Sequence, residues 1–578
     1  MGWSVARDRL SSGSRVIQFE NDIDQFSECE GKLVVVLDWK PSGVVDTRNV
    51  VCVTDRGEHL WRIEGIDPPS TDSAHTLVGI IRIDPRVVVV ASFACIAYEV
   101  DMTTGRRLRS WFTKQAADPS VGMNEASLGN PNLRRPAPGR LQRGHRRADL
   151  PARGPQTHDR ATMHDTETTL WEPSRAEGLA RLADFAERSG REYADRRNYD
   201  LGPGDRTNVS TLSPYLRHRL VTEAEVARAA LDAHGPRGAE RFLQEVGWRT
   251  YWKGWLELRP QVWRSYLGEV QAELDRLDAD PALRERYDRA IDGRAGIKSF
   301  DAWARELVEV GYLHNHARMW FASIWIFTLE LPWALGADFF LRHLLCGDPA
   351  SNTLSWRWVA GIQTRGKTYQ ATAENIAKFT EGRFKPKEPL ATDLRMVDVP
   401  KPPAAGPLPK PGRVDPARPF GLLLTEDDLH PEDYDLPRPQ IRGVAGLSGE
   451  AGRCPGPVAA RVVEFTRGAL DDGLSRAAAH FEVPNAGRLD DADWADALAG
   501  WARSLGVDQV VVPHVPVGPS RDRLDPAAEA LAARHDIHLV RVRREWDDEL
   551  WPLATAGYFP FREKLLGRLP RLAGPDGR

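Results

Sequence analysis

The sequence predicts a multidomain chain: a β-rich segment, an all-helical middle and a C-terminal α/β domain. Three observations predict it. The 578 residues exceed what one hydrophobic core usually holds, about 250–300 residues. Apolar residues alternate in short runs up to residue 114, recur at three and four spacing from 172 to 384, and from 420 return as short strands between helices. Two stretches without such periods lie between. The expected division is 1–114, 115–165, 166–390, 391–419 and 420–570.

Net charge is only -4, so a nucleic-acid partner would need a local basic face rather than a global field. The five cysteines, Cys29, Cys52, Cys95, Cys346 and Cys454, form no CxxC pair. That argues against zinc, an iron–sulfur cluster or a disulfide framework, and no metal is expected. A reduced, cytoplasmic protein is expected. No export signal is evident, and no apolar run of about 18 residues lacks charge or proline near its centre. Nothing in the residues sets an oligomeric state.

In the first segment, strands are expected at Lys32 to Leu37, Val50 to Thr54, Leu77 to Ile83, Val87 to Ala91 and Cys95 to Val100. The phrases from Asp55 to Ile63 and from Asp101 to Leu108 look like propeller-blade turns. Two or three blades cannot close a ring of about four to eight, so a propeller-like fragment is expected. Residues 115–165 then turn to Arg, Pro and Gly (Arg134, Arg135, Arg140, Arg143, Arg146 and Arg147), a composition that builds no core. It reads as a disordered linker, or as a basic tail touching phosphates. A further reading places the natural start at Met163.

Helices are expected at 174–189, 222–234, 238–257, 262–277, 299–311, 317–331 and 337–345, with Ser174 and Thr222 as caps. The Pro- and Lys-rich stretch to Pro419 reads as an extended linker. Strands at 421–425, 509–513 and 537–542, with helices at 457–471, 491–504 and 525–534, give a parallel sheet of Rossmann-like type. No GxGxxG follows a strand. Val515 to Arg521 sits at a strand's carboxyl end, where open sheets take ligands. It reads as an ordinary turn or as a chromophore or phosphate site.

Four blocks in the helical middle carry the chemistry: Val209-Ser-Thr-Leu-Ser213 before Pro-Tyr-Leu, Phe242 to Tyr251, Gly311 to Met319, and Gly347 to Trp358. Their order and content resemble the FAD-binding domain of the DNA photolyase and cryptochrome family, over roughly Tyr193 to Phe384. The resemblance implies a bound FAD, damaged DNA as partner, and light-driven electron transfer that splits pyrimidine dimers. A cryptochrome-like light sensor and a non-catalytic flavoprotein are the alternatives. Family members also carry an α/β antenna domain, there ahead of the flavin domain; an antenna chromophore here is unidentified.

By the same resemblance, Tyr193, Val209, Ser210, Thr211, Leu212, Ser213, Asn315, Arg318, Cys346, Gly347, Asp348 and Asn352 bind the flavin. Glu245, Trp248, Arg249, Met319 and Trp358 line the substrate pocket. Glu245 and Trp248, three apart, share a helical face; without the resemblance they read as an ion pair and core packing. Asn352 faces the flavin's reactive nitrogen, where an amide both donates and accepts. Trp356 and Trp333 match the inner and middle members of the family's electron chain. The outer member has no Trp counterpart; Trp320, Trp325 or Tyr287 are substitutes, though Trp320 and Trp325 also read as core. Two departures stand out. Cys346 replaces an aspartate that partners Arg318, leaving Asp348 or the flavin to serve, and His316 replaces an arginine, which implies weaker DNA affinity.

Overall fold

The computed structural model describes residues 3–112, with breaks at 7, 13–14, 21–22, 38–48, 64–76, 84 and 93–95. It also describes residues 171–574, with breaks at 365–367, 394–396, 398 and 490–492. The expected linker 115–165, with its arginines and Met163, lies outside the described residues, as does Cys95. The chain divides into two compact units, Met1–Ala152 and Arg153–Arg578.

The first unit is antiparallel throughout. Strands β1–β3 (Ser4–Ala6, Arg9–Ser12, Arg15–Gln18) form one sheet. Strands β4–β7 (Ile23–Cys29, Lys32–Leu37, Val50–Thr54, His59–Arg62) and β8–β11 (Leu77–Ile83, Val87–Ser92, Ile96–Asp101, Arg107–Phe112) form two four-stranded meanders. Val34, Val36, Val50 and Cys52 of one meander share a core with Val88, Val90, Tyr98 and Val100 of the other. The β10–β11 turn is built by Asp101, whose Oδ1 accepts from the N–H groups of Thr103 and Thr104, and by Gly105 at φ +71. Any Cβ at Gly105 would meet the Trp61 indole at 2.8 Å. Two meanders are too few to close a propeller ring.

Among the described residues the second unit opens with eleven α-helices. They are α1 (Arg175–Ala186), α2 (Arg191–Arg196), α3 (Ser213–Arg217), α4 (Glu223–Glu257), α5 (Gln261–Ala279), α6 (Pro281–Ile291), α7 (Lys298–Val310), α8 (Asn315–Ser323), α9 (Trp333–His343), α10 (Pro349–Val359) and α11 (Ala373–Phe379). Ser174 caps α1, and Thr222 with Glu225 forms a capping box on α4. The two helices expected at 222–234 and 238–257 run on as α4, kinked at Gly235 (φ +64) ahead of Pro236. The helix expected to 331 loses its α-helical pitch at Ser323 and continues as a π turn, Ile324–Thr328.

An all-parallel sheet follows, built from β12 (Phe420–Thr425), β13 (Ile441–Leu447), β14 (Asn485–Arg488), β15 (Gln509–Pro513) and β16 (His538–Val542) in the order β14-β13-β12-β15-β16. Helices α12 (Ala460–Phe481), α13 (Trp494–Leu505) and α14 (Pro519–His535) connect the strands, and α15 (Glu545–Leu550) and α16 (Tyr558–Leu572) follow them. The order reverses between β12 and β15. No helix among the described residues is long and apolar enough to cross a membrane.

The helical and α/β parts do not stand apart as the expected linker implied. One buried cluster holds Phe242, Val246 and Tyr251 of α4 together with Phe465 of α12 and Tyr558, Phe561 and Leu565 of α16. The stretch 391–419 is docked to both parts: Gly406 donates to the Leu258 carbonyl and Gly412 to the Arg541 carbonyl, at 2.8 and 2.7 Å. Its prolines stiffen a strap rather than space two free domains.

Candidate functional site

The four blocks converge. The loop ahead of α3 brings Ser213 to Cys346, whose thiol its hydroxyl meets by a hydrogen bond. Arg318 on α8 reaches the same sulfur at 3.2 Å through Nη2, while its Nε donates to the Leu313 carbonyl. Asp348 caps α10 through Ser351 N–H and pairs with Lys253 and Arg249 of α4 at 3.4 and 3.6 Å. Arg197 meets Glu245 at 3.5 Å, and its carbonyl is 3.1 Å from His314 Nε2 at the head of α8.

Along this ring Val209, Ser210, Thr211, Ser213, Glu245, Trp248, Arg249, Arg318, Met319 and Trp358 are all half-buried, and Asn315 is exposed. A packed helical interior covers side chains of this size, so the ring has a solvent-accessible edge. Thr211 holds φ +51, a strained backbone for a β-branched residue, of the kind that persists where surrounding structure enforces it. Its hydroxyl takes a hydrogen bond from Arg181 at 3.0 Å. Arg249 makes no hydrogen bond through Nε, which lies 3.4 Å from Glu223 in an ion pair. Hydroxyls at 210, 211 and 213 with a guanidinium nearby are a donor set that suits a diphosphate, and the residues present therefore fit the diphosphate end of a flavin dinucleotide.

Other expected site residues are less accessible. Tyr193 is buried edge-on to Phe185 and Phe242, and Leu212 is fully buried, so neither presents its side chain at the accessible edge. Asn352 is buried, with Nδ2 donating to the Ala337 carbonyl at 2.8 Å. Trp356 lies over Gly336, where a Cβ would clash with its ring at 2.4 Å.

One expectation needs correction. Asp348 does not take over as the partner of Arg318; Lys253 and Arg249 hold it, and together with Arg217 they drive its carboxyl far below the usual range against the effect of burial. His316 is a buried structural residue, with Nδ1 near the Asn198 carbonyl and Nε2 near the Tyr369 hydroxyl at 2.9 and 3.1 Å. A phosphate-contacting charge is not what that position offers here. Trp325 is fully buried in the core, its ring 6.3 Å from Trp356 and edge-on to Tyr287 at 5.9 Å. Trp333 packs on Tyr266 instead and donates to Glu269 at 2.7 Å.

Sequence reading missed Tyr558. From α16 it stacks on Trp248 with ring centroids 3.5 Å apart and planes within 11°, and its hydroxyl donates to the Gln244 carbonyl. Gly247 allows the approach, since a Cβ there would meet Leu565 at 2.4 Å. Three hundred residues of separation leave no local signal for this pair. Lys253 was detectable, four residues after Arg249 and so on the same face of α4.

The carboxyl end of β15 is filled from within. Glu257 of α4 accepts from Val517 N–H at 2.6 Å and from Arg521 at 2.9 Å, and lies 3.2 Å from His514 Nε2. Burial pushes the Glu257 carboxyl up, but His514 and Arg521 bring it down to about 2. The segment Val515 to Arg521 thus docks the helical part at the point where strand order reverses.

Behind the ring, Glu306 on α7 is buried beside Arg206 at 3.2 Å. Burial, with help from Asp200, pushes its carboxyl up to about 7 despite Arg206. An acid that ionises later folded than unfolded costs stability as pH rises, here from about 4.3, the unfolded value, to about 7. Glu306→Gln should therefore gain on the order of 2–3 kcal/mol over the parent at pH 8 and nothing at pH 4. Urea unfolding at the two pH values checks this.

Comparison with known proteins finds relatives for part of the chain. Residues 242–383 match the family described as the FAD binding domain of DNA photolyase, and residues 2–112 match a domain of unknown function, DUF7957. The deoxyribodipyrimidine photo-lyase of Streptomyces griseus is 37% identical over 174 residues, 30% of this chain and 36% of that protein. One from Thermus thermophilus is 30% identical over 234 residues, 40% of this chain and 51% of that protein. Among solved structures, a class III photolyase from Agrobacterium tumefaciens aligns at 27% identity and TM-score 0.32, covering 37% of this chain and 44% of that one. The chain thus spans about a third to a half of the length of these curated relatives.

Proposed function

We propose, from the premise that residues 242–383 are a photolyase-type FAD-binding domain, that this chain binds FAD at this ring of residues and repairs pyrimidine dimers in DNA with light. The observation that carries the reading is the convergence of four sequence blocks on one ring through Ser213, Cys346, Arg318, Asp348, Arg249 and Glu245. Ser210, Thr211, Ser213 and Arg249 would hold the diphosphate. Asn315, Arg318, Gly347, Asp348 and Asn352 would flank the rings, Asn352 with its carbonyl oxygen left to accept. The bound, reduced flavin supplies the electron that splits the dimer.

Glu245 stands at the accessible edge, its side chain 37% exposed, where a carboxyl group meets an incoming base. Trp248 presents a half-buried indole for stacking, already fixed on one face by Tyr558, and Met319 and Trp358 complete an apolar slot. A base flipped from the duplex needs such a slot with few polar ends. Trp356 with Trp325 gives a first step for a hole leaving the flavin, and Trp333 a second branch. The α/β part reads as a Rossmann-like domain, with its reversal point occupied by Glu257. The β-rich unit reads as a propeller-like fragment, and the whole as a cytoplasmic protein.

A second reading has its own support. Tyr558 couples the pocket tryptophan to the C-terminal helix, as a cryptochrome-like sensor that signals through that helix requires. Extraction of denatured protein should yield FAD; its absence would sink both readings. Illumination of reduced protein with a dimer-containing oligonucleotide then separates them: dimer loss means repair, and photoreduction alone means sensing.

A further inference from the structure

We propose that Cys346 stands as a thiolate, the counter-ion of Arg318, and is thereby a modification site for soft carbon electrophiles. Three guanidinium groups flank the Cys346–Gly347 turn: Arg318, Arg453 and Arg217, whose Nε donates to the Gly347 carbonyl at 3.0 Å. Arg318 lies 3.2 Å from the sulfur. Arg453, only 3% exposed, reaches over from the α/β part to donate to the Gly347 carbonyl, with its Nε buried and unpartnered. Among the described residues neither Arg318 nor Arg453 has a carboxylate within ion-pair distance. The nearby acids are committed elsewhere: Asp348 to Lys253 and Arg249, and Asp427 to Arg217 at 2.7 Å. Tyr312 offers Arg318 only its ring face, 5.6 Å away.

Guanidinium groups drawn from water without an anion are costly; Cys454 and Glu426 act on Arg453 ahead of Cys346, whereas the group within reach of Arg318 is the Cys346 sulfur. Ser213 adds a hydroxyl hydrogen bond to it. Cations and hydrogen-bond donors around a thiol favour its ionised form. Accordingly the Cys346 thiol is lowered from its ordinary value although burial acts the other way. Burial pushes Cys52 up to about 11 against Lys32, and burial with Asp338 pushes Cys454 up to about 12 against Arg342 and Arg453.

Access is past half-buried Ser213 and Arg318, and Cys346 itself keeps 8% exposure. With iodoacetamide, Sγ attacks the methylene carbon, a carbon–sulfur bond forms, the carbon–iodine bond breaks and iodide leaves; no proton is transferred. The neutral thioether then leaves Arg318 without a counter-ion.

The test alkylates the full-length protein as isolated between pH 5.5 and 9.5 and follows the Cys346 peptide by mass spectrometry. The expected rate at pH 6.5 lies within about tenfold of its plateau, whereas a free thiol of pKa about 8.5 falls about a hundredfold short. Arg318→Gln should move the midpoint up by at least about one pH unit, and Arg318→Lys by less. A rate climbing tenfold per pH unit to pH 8.5, or a midpoint indifferent to Arg318→Gln, overturns the proposal. Should the reagent fail to reach the sulfur, thiolate absorbance at 240 nm decides, as the difference between the parent and Cys346→Ser. A step below pH 8 supports the thiolate, and no step below pH 9 overturns it. Neither readout needs flavin, so failure here leaves the FAD reading standing.

Discussion

Replacing Arg219 with methionine should lower the unfolding free energy by about 3–5 kcal/mol, the cost of stranding a buried charge. Arg219 is 3% exposed and holds Asp547 with both terminal nitrogens at 2.7 Å, and Asp428 and Glu223 at 3.2 Å. Its loss does not strand all three acids equally. Arg544 still holds Asp428 at 2.6 Å, and Arg249 still lies 3.4 Å from Glu223. Asp547, 1% exposed, keeps no cation, so the damage concentrates there. Arg219 also sits at φ +49, and methionine inherits that strain, so the measured loss reports the side chain. Adding Asp547→Asn to the methionine variant should recover about 1 kcal/mol or more through their coupling. Urea unfolding of the parent, the two single variants and the double variant measures both effects. A methionine variant within 1 kcal/mol of the parent would show that solvent reaches this cluster.

This cluster also marks where sequence reading stops. Strands such as Lys32–Leu37 and Gln509–Pro513 were legible because alternation or an unbroken apolar run declares them. Helix α6 was missed although Asp280 and Pro281 spell a cap and a first turn, because its apolar face is only Leu283, Tyr287 and Ala290. Strand β14, Asn485-Ala-Gly-Arg488, is an exposed edge with no apolar residue but alanine; its neighbour β13 makes it a strand. Helix α16 is hidden by Pro560 and Pro570, which propensity reads as breakers. At the site, spacing put Glu245 and Trp248 on one helical face, but only the family resemblance assigned them, with Arg249, Asn315, Arg318 and Asn352, to a site. The partners that set their states come from far along the chain: Tyr558 for Trp248, Arg453 for the Cys346 turn, His514 and Arg521 for Glu257. No local pattern encodes such pairs, since each depends on how the α/β part docks.

That docking leads to the largest expected effect: a chain ending at residue 398 should be insoluble or lack a cooperative unfolding transition, despite containing every expected flavin contact. The cut strips α4 of what covers it. Trp248 and Tyr251 lose Tyr558 and Phe561, and Gly254 loses the Trp551 ring that packs on it. Tyr215 and His218, beside the flavin loop, lose Phe465. Arg217, Arg219 and Glu257 each lose the opposite charges that let them be buried, and Trp263 loses the Asp522 carboxylate its indole donates to. An aromatic surface of this extent left to water drives association. The complementary cut, removing residues 1–165, should leave the melting temperature within a few degrees, because the core of the second unit is drawn from residues 171 onward. Gel filtration and calorimetry of both products give the answer. A monomeric, cooperatively melting 166–398 fragment would mean that the α/β part is an accessory to the flavin domain; aggregation would mean that the two fold as one body, with the C-terminal half supplying a wall of the site.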